Sequence, residues 1–158
     1  MEPRLKYGQL APEGFAKLKE LEHYLNTASG LEHTLLELVR LRSSLMNDCE
    51  FCIALHKSEL RNAGVPEEKI SGVADWRSSQ AYTKRERAAL EWAEAITNIQ
   101  DGHAPDAVYE PLRAEFSDAE IANLTLALAI INAWNRISIS LGRHSHRGAE
   151  MKGVEVKA

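Results

Sequence analysis

Helical periodicity runs through nearly the whole 158-residue chain, and the signals of β-strands are almost absent. No run of β-branched residues alternates with polar ones, and no Asn-Gly or Asp-Gly pair connects two such runs. Apolar residues recur instead every three or four positions, which is the spacing of a helix with one buried face. The sequence therefore predicts an all-α fold.

A chain of this length is expected to form one compact multi-helix domain, since domains of about 100–200 residues are the norm. Its 44% of hydrophobic residues are enough to build a core. We assign the helical domain to residues 1–142 and a polar C-terminal tail to residues 143–158.

Start and stop signals divide this pattern into separate helices. Pro12 is a favourable first residue for one helix, and Gly30 is a favourable stop. Three segments have the capping-box form, in which a Ser, Thr or Asn is followed three residues later by Glu: Asn47–Glu50, Thr83–Glu86 and Ser117–Glu120. Further helices are predicted from about Glu32 to Leu45, from Pro66 to about Val73, and from Pro105 onward.

The last helix is the most apolar part of the chain, and its sequence favours a subunit interface. Residues 124–141 carry Asn132, Asn135 and Arg136 near their middle, and an arginine at a bilayer centre costs about 2.5 kcal/mol or more. We therefore interpret this helix as part of a core or interface, with the three polar residues tying subunits or loops together. Because it is apolar nearly all round, and a small domain rarely surrounds one helix, we predict a homo-oligomer.

Charge and cysteine content limit the possible partners and the compartment. Nineteen basic and 23 acidic residues give a net charge of −4, which favours neither a nucleic-acid surface nor a membrane-surface helix. The first ten residues lack the apolar run of a signal peptide, so we expect a cytoplasmic protein. In a reducing compartment, a pair of cysteines is more often used for redox or metal chemistry than for structural linkage.

Cys49, Cys52 and His56 form the group of residues that can carry chemistry. Their spacing of i, i+3 and i+7 places them on one face of a helix. The free N–H groups and the dipole of a helix start stabilise a thiolate there, and His56 lies one turn beyond Cys52, where it can accept the thiol proton. A nucleophile, a second thiol and a base are the minimum set for a dithiol peroxidase or a disulfide reductase.

Two other interpretations of the cysteines compete with redox chemistry. Both cysteines could be inert buried residues. They could also bind zinc together with His56, although a structural zinc site needs four ligands, and His144 or His146 would have to supply the fourth. The pattern favours redox chemistry, with neither a metal nor a cofactor.

Over residues 15–142, the chain resembles the alkyl hydroperoxidase D group of the carboxymuconolactone decarboxylase superfamily. The resemblance rests on Glu37 followed, after eleven residues, by the Cys49-x-x-Cys52-x-x-x-His56 motif, and on the later sequence INAWNR at 131–136. It implies an all-α fold, a homotrimer or homohexamer, and thiol-dependent reduction of hydroperoxides. It also implies that Cys52 attacks the peroxide, that Cys49 resolves the product, and that Glu37 and His56 relay protons.

Three points stay open at this stage. Some members of the group have a histidine directly before the second cysteine, where this chain has Phe51. Helix-dipole reasoning would favour Cys49 as the more acidic thiol, whereas His56 lies nearer to Cys52. The residues alone also do not show whether Glu37 faces the interior.

We interpret Arg40 and Arg42 as salt-bridge or interface partners.

The resemblance leaves more than one function possible. A peroxidase would need an external dithiol reductant, such as a lipoyl or thioredoxin-like protein. Lactone decarboxylation, the other activity of the superfamily, uses acid–base groups and does not require the two cysteines. A zinc-binding or redox-sensing module without catalytic activity is the third possibility.

Light scattering of the purified protein tests the predicted homo-oligomer. We expect a mass that is a multiple of the 17.6 kDa chain, because the helix over 118–141 has apolar residues on every side. A mass near 17.6 kDa at micromolar concentration would contradict the interface role of this helix.

Overall fold

The structure is a computed structural model that describes residues 3–142, and within this range it is entirely helical, as the sequence predicts. The predicted tail, residues 143–158, lies outside the described residues. The helices in the described part are α1 (Tyr7–Leu10), α2 (Pro12–Thr27), α3 (His33–Met46), α4 (Glu50–Asn62), α5 (Glu67–Ser71), α6 (Lys84–Thr97), α7 (Asp106–Glu115) and α8 (Asp118–Leu141), with a 3₁₀ turn at Gly72–Asp75 after α5.

Helix α3 is the centre of the bundle. It packs against α4, α6, α8 and the 3₁₀ turn, and all seven residues at 35–41 are buried. These seven include the charged residues Glu37 and Arg40. A helix covered on every side cannot send a charged side chain to solvent, so both charges must find partners inside the protein.

Two hydrophobic clusters flank α3. The larger one joins α2, α3, α6, α7 and α8, and the smaller one joins α3, α4, α5 and α6. Fully buried leucines from α3 face both sides: Leu36 belongs to the larger cluster, and Leu38 and Leu41 belong to the smaller one. Helix α4, which begins with the two cysteines, packs against this central helix.

The helix boundaries confirm most of the sequence signals. Pro12 is the first residue of α2, and both Thr83 and Ser117 form complete capping boxes at the starts of α6 and α8. The short helix α1 had no recognisable signal in the sequence.

The capping box proposed at Asn47 is wrong. Asn47 is the last, capping residue of α3, and Cys49 is the N-cap of α4. The physical reason is the backbone: Asn47 still has helical dihedral angles at the end of α3, and its side chain faces α8, where Nδ2 donates to Asn132 and Asn135. It therefore does not cap the helix that follows.

Helix α8 is only partly enclosed within one chain. By length and mean hydropathy, its 24 residues could cross a membrane, but the helix packs against α2, α3, α4, α6 and α7. Leu126 and Ile139 are exposed on its outer face. The helix surrounded on all sides is thus α3 rather than α8, and the role of α8 at a subunit interface stays a prediction.

Replacement of Ser117 tests the contribution of the α8 capping box. The Ser117 hydroxyl accepts a hydrogen bond from the Glu120 N–H, so Ser117→Ala should lower the free energy of unfolding by about 1 kcal/mol. Urea denaturation measures the change. Ser140→Ala removes an exposed hydroxyl near the other end of the same helix and should leave the stability within about 0.5 kcal/mol of the parent. Equal effects of the two changes would contradict the capping role.

Candidate active site

The two cysteines are joined in a disulfide at the start of α4. Cys49 is the N-cap residue and Cys52 lies in the first turn, and their Cα atoms are 5.3 Å apart, within the range that a disulfide spans. Both side chains are buried, and Cys52 retains 3% of its surface exposed. The structure therefore brings together the two thiols that the spacing predicted to be one helical turn apart.

The backbone before Cys49 forms a tight turn between α3 and α4. Asp48 has a φ of 56°, in the left-handed region, which reverses the chain after α3. The Cys49 N–H donates to the carbonyl of Ser44 at 3.0 Å. The turn thus holds Cys49 against the end of α3 through its main chain, independently of the sulfur atoms.

Helix α8 fixes this turn through hydrogen bonds between side chains. The Nδ2 group of Asn47 donates to Oδ1 of Asn132 and to Oδ1 of Asn135, at 2.9 Å in both cases. Asn135 is fully buried and donates in turn to the hydroxyl of Ser44 at 3.1 Å. Arg136 donates to Oδ1 of Asn132 at 3.0 Å. The polar residues of the apolar helix therefore tie α8 to the α3–α4 turn within one chain.

Glu37 and His56 form a buried pair between α3 and α4. The Oε2 atom of Glu37 lies 2.7 Å from Nδ1 of His56, and both side chains are buried. An ionised carboxylate only accepts hydrogen bonds, so Nδ1 of His56 must carry a proton and donate it to this contact. Because His56 lies one helical turn after Cys52, the structure links the relay residues to the thiols through α4.

Arg40 is the second partner of Glu37. Its Nη1 group donates to Oε1 of Glu37 at 2.6 Å and to Oδ1 of Asn26 at 2.8 Å. Its Nε and Nη2 atoms are buried and have no hydrogen-bond partner among residues 3–142. The ion pair between Arg40 and Glu37 confirms the salt-bridge interpretation of Arg40, but its place beside the predicted relay was missed. The i, i+3 spacing of the two residues on α3 could have indicated it.

The charge on Glu37 follows from these two partners. Burial raises the pKa of the Glu37 carboxyl. The opposing effects lower this pKa by a larger amount: they are the hydrogen bonds from His56 and Arg40, the charge of Arg40, and the charge that His56 carries in acid. The net pKa lies below the ordinary value of 4.5. Glu37 is therefore ionised at neutral pH although it is buried.

Phe51 points away from the buried pair. Its side chain is 62% exposed and lines a cavity of about 460 Å³ beneath the N-terminal segment. Phe15 and Tyr7 also line this cavity, and Ser138 reaches it from α8. A phenyl ring cannot carry a proton, so the site has no third relay member at position 51.

The zinc interpretation finds no support in the described residues. Among residues 3–142, no group of three or more His, Cys, Asp or Glu side chains is arranged to hold a metal ion. Both candidate thiolates are bonded to each other instead. The histidines that could complete such a site, His144 and His146, lie outside the described residues.

The fold and the site together define an all-helical domain in which a CxxC pair at a helix start lies one turn from a buried Glu–His pair. The carboxymuconolactone decarboxylase family model matches residues 12–95, just over half of the chain. This protein belongs to that family, and its structural relatives associate it with the AhpD-like group.

Three relatives illustrate the range of the similarity. The uncharacterized protein YdfG of Bacillus subtilis is 37% identical over 145 residues, which are 92% of this chain and 98% of YdfG. The crystal structure of ATU0492 from Agrobacterium tumefaciens has a TM-score of 0.84 and 41% identity, and the match covers 91% of this chain and all of ATU0492. A peroxidase-related protein with an alkylhydroperoxidase AhpD core from Ralstonia eutropha has a TM-score of 0.76 and 20% identity, over 92% of this chain and 78% of its own. At that identity, the last comparison shows the fold alone.

Replacement of Glu37 tests its charge in the interior. Because the pKa of Glu37 is lower in the folded protein than in the unfolded chain, its stabilisation is fully present above pH 4.5 and is lost as the pH falls through the folded-state pKa. Glu37→Gln should lower the free energy of unfolding by about 3–5 kcal/mol at pH 7, since it leaves the charge of Arg40 uncompensated. The variant should also lose less stability than the parent between pH 5 and about pH 3.

Urea denaturation at several pH values measures both effects, and Glu20→Gln is the matched control. Glu20 pairs with Lys17 on the surface, so its loss should leave the stability close to that of the parent. If Glu37→Gln and the parent show the same pH dependence, the pKa of Glu37 is not lowered in the folded protein.

Proposed function

We propose that this protein is a thiol-dependent peroxidase that reduces hydroperoxides through the Cys49–Cys52 pair. The observation that carries the proposal is the disulfide one helical turn from His56, whose Nδ1 is held by the ionised Glu37. Peroxide reduction by a thiol requires a nucleophile and a base. The opened disulfide supplies the nucleophilic thiol, and the second ring nitrogen of His56 is the base that accepts its proton.

In the first step, Cys52 attacks the peroxide. His56 accepts the thiol proton at Nε2, and the thiolate sulfur bonds to the terminal oxygen of the hydroperoxide as the O–O bond breaks. The leaving alkoxide takes up the proton from His56 and departs as an alcohol. Cys52 is then a sulfenic acid, and the peroxide has been reduced by two electrons.

In the second step, Cys49 resolves this intermediate. The Cys49 sulfur attacks the Cys52 sulfur, the hydroxyl group leaves as water with the Cys49 proton, and the disulfide forms. A dithiol reductant must then supply two electrons and two protons to restore both thiols. A lipoyl or thioredoxin-like protein fits this requirement.

The arrangement of the two residues favours Cys52 as the attacking thiol. Cys52 lies within α4 one turn before His56, whereas Cys49 lies at the N-cap; both are buried. The turn holds Cys49 by its main chain. A resolving thiol has to stay close to the attacking thiol, and this arrangement keeps Cys49 there. The dipole of α4 stabilises a thiolate at either residue. Its effect is strongest at the helix start, which is the argument in favour of Cys49 as the attacking thiol.

The family comparison supports a peroxidase-related function at a coarser level. ATU0492 has been described as a candidate antioxidant-defence protein AhpD, and the Ralstonia eutropha protein as peroxidase-related. Lactone decarboxylation is less favoured, because it makes no use of a paired CxxC. The proposed protein is cytoplasmic and assembles as a homotrimer or homohexamer. The relatives named above come from bacteria.

Single-turnover peroxide consumption by the two serine variants tests the proposal. Cys49→Ser should consume about one equivalent of peroxide per chain and then stop, with a sulfenic acid on Cys52 visible by mass spectrometry. Cys52→Ser should react no faster than an ordinary cysteine. His56→Ala should slow the first step by about 10²–10⁴-fold, because the proton acceptor is lost.

The matched control for His56 is His23→Ala, since His23 is an exposed histidine on α2. It should react at the parent rate. If Cys52→Ser reacts with peroxide as fast as the parent, the roles of the two thiols are reversed. If the parent itself consumes no peroxide while both thiols are reduced, the proposed function is wrong.

A further inference from the structure

Glu37, Arg40 and His56 are the acidic and basic side chains that are buried among residues 3–142. Two of them come from α3 and one from α4, and the buried polar residues that α8 contributes, Asn135 and Ser138, are uncharged. Cys49 and Cys52, at the start of α4, are bonded to each other and do not titrate in this state. The charge balance of this part of the interior is therefore set by three side chains.

The carboxylate of Glu37 is divided between the other two members. One oxygen accepts from Arg40 at 2.6 Å and the other accepts from His56 at 2.7 Å. Arg40 is always positive and Glu37 is ionised, so these two charges already compensate each other. A proton added to His56 would leave one unbalanced positive charge in the interior, and burial disfavours such a charge.

We propose that Arg40 is a positioning residue that keeps His56 in its neutral form, with the proton on Nδ1 and the lone pair on Nε2. Without Arg40, the full negative charge of Glu37 would act on His56 and hold a second proton on the ring. A ring that already carries both protons cannot accept one from Cys52. This use of the neutral ring rests on the proposed function, but the protonation state itself does not.

Arg40 uses only part of its hydrogen-bonding capacity. Arg61 and Arg85 each bind a carboxylate with Nε and Nη2 together, on Glu67 and Glu32. Arg42 and Arg77 instead reach Glu94 through a single nitrogen each. In Arg40 the edge formed by Nε and Nη2 is buried and has no partner within residues 3–142. Arg40 thus holds Glu37 through Nη1 alone, and it also places a full positive charge beside the carboxylate.

Nitrogen-15 NMR of the histidine rings tests the proposal, since it distinguishes the neutral Nδ1–H form from the doubly protonated ring. The oxidised protein is used, so no thiol titrates beside His56. At pH 7.5 the parent should show neutral His56. Arg40→Met should raise the ratio of protonated to neutral His56 by about tenfold or more. Arg40→Lys keeps the charge and should restore the parent ring.

Two further variants make the outcome specific. Arg42 lies on the same helix as Arg40 but pairs with Glu94. Arg42→Met removes this cation and should leave the protonation of His56 unchanged. Asn26→Asp places a carboxylate against Nη1 of Arg40 from an exposed position, and it should shift His56 in the same direction as Arg40→Met by a smaller factor. It serves as the test if Arg40→Met does not fold.

The proposal is overturned if His56 is doubly protonated in the parent at pH 7.5. It is also overturned if the folded Arg40→Met and Asn26→Asp variants both show the parent ring. Neither measurement involves peroxide. A parent that fails to reduce peroxide while His56 responds to Arg40→Met as expected would refute the proposed function and leave this inference standing.

Discussion

A carboxylate stays ionised inside a helical core only where the core itself provides donors and positive charge. Glu37 meets this condition with one partner from its own helix and one from the next, Arg40 and His56. The contact with His56 restricts the rotation of α4 and its position along α3. Cys52 is built on the same helix one turn earlier, so its position relative to α3 follows from that contact. The geometry of the cysteines thus depends on a charge buried beside them.

The sequence was sufficient for the fold and for the grouping of the cysteines with His56, because helical periodicity, capping boxes and i, i+3, i+7 spacing are local properties. It failed at Asn47 because the partners of that side chain, Asn132 and Asn135, lie more than eighty residues away. No local rule distinguishes an asparagine that caps a helix from one that binds a distant helix. Glu37 was predicted through the family resemblance alone, since its leucine neighbours on α3 could have faced either way.

The composition of α8 predicted that one chain would not enclose it, and Leu126 and Ile139 are indeed exposed. The helix that the described residues cover on every side is α3, although it carries two buried charges. Enclosure depends on where a helix lies rather than on its hydrophobicity: α3 lies between both hydrophobic clusters, whereas α8 contributes buried residues to the larger one alone among the described residues. The apolar excess of α8 remains partly uncovered at Leu126 and Ile139, which is the surface that a second copy of the chain would have to cover.

The turn before Cys49 has a consequence for the energetics of the thiol pair. Asp48 and the Asn47 contacts with α8 hold the backbone by themselves, and the disulfide closes a ring of only four residues. A crosslink that closes a short loop restricts the unfolded chain less than one that closes a long loop. The disulfide therefore adds comparatively little to the free energy of unfolding. Opening the bond should therefore demand little reorganisation of the protein. The redox state of the pair is then separated from the cohesion of the bundle, which depends on the buried contacts of α3 and not on the sulfur–sulfur bond.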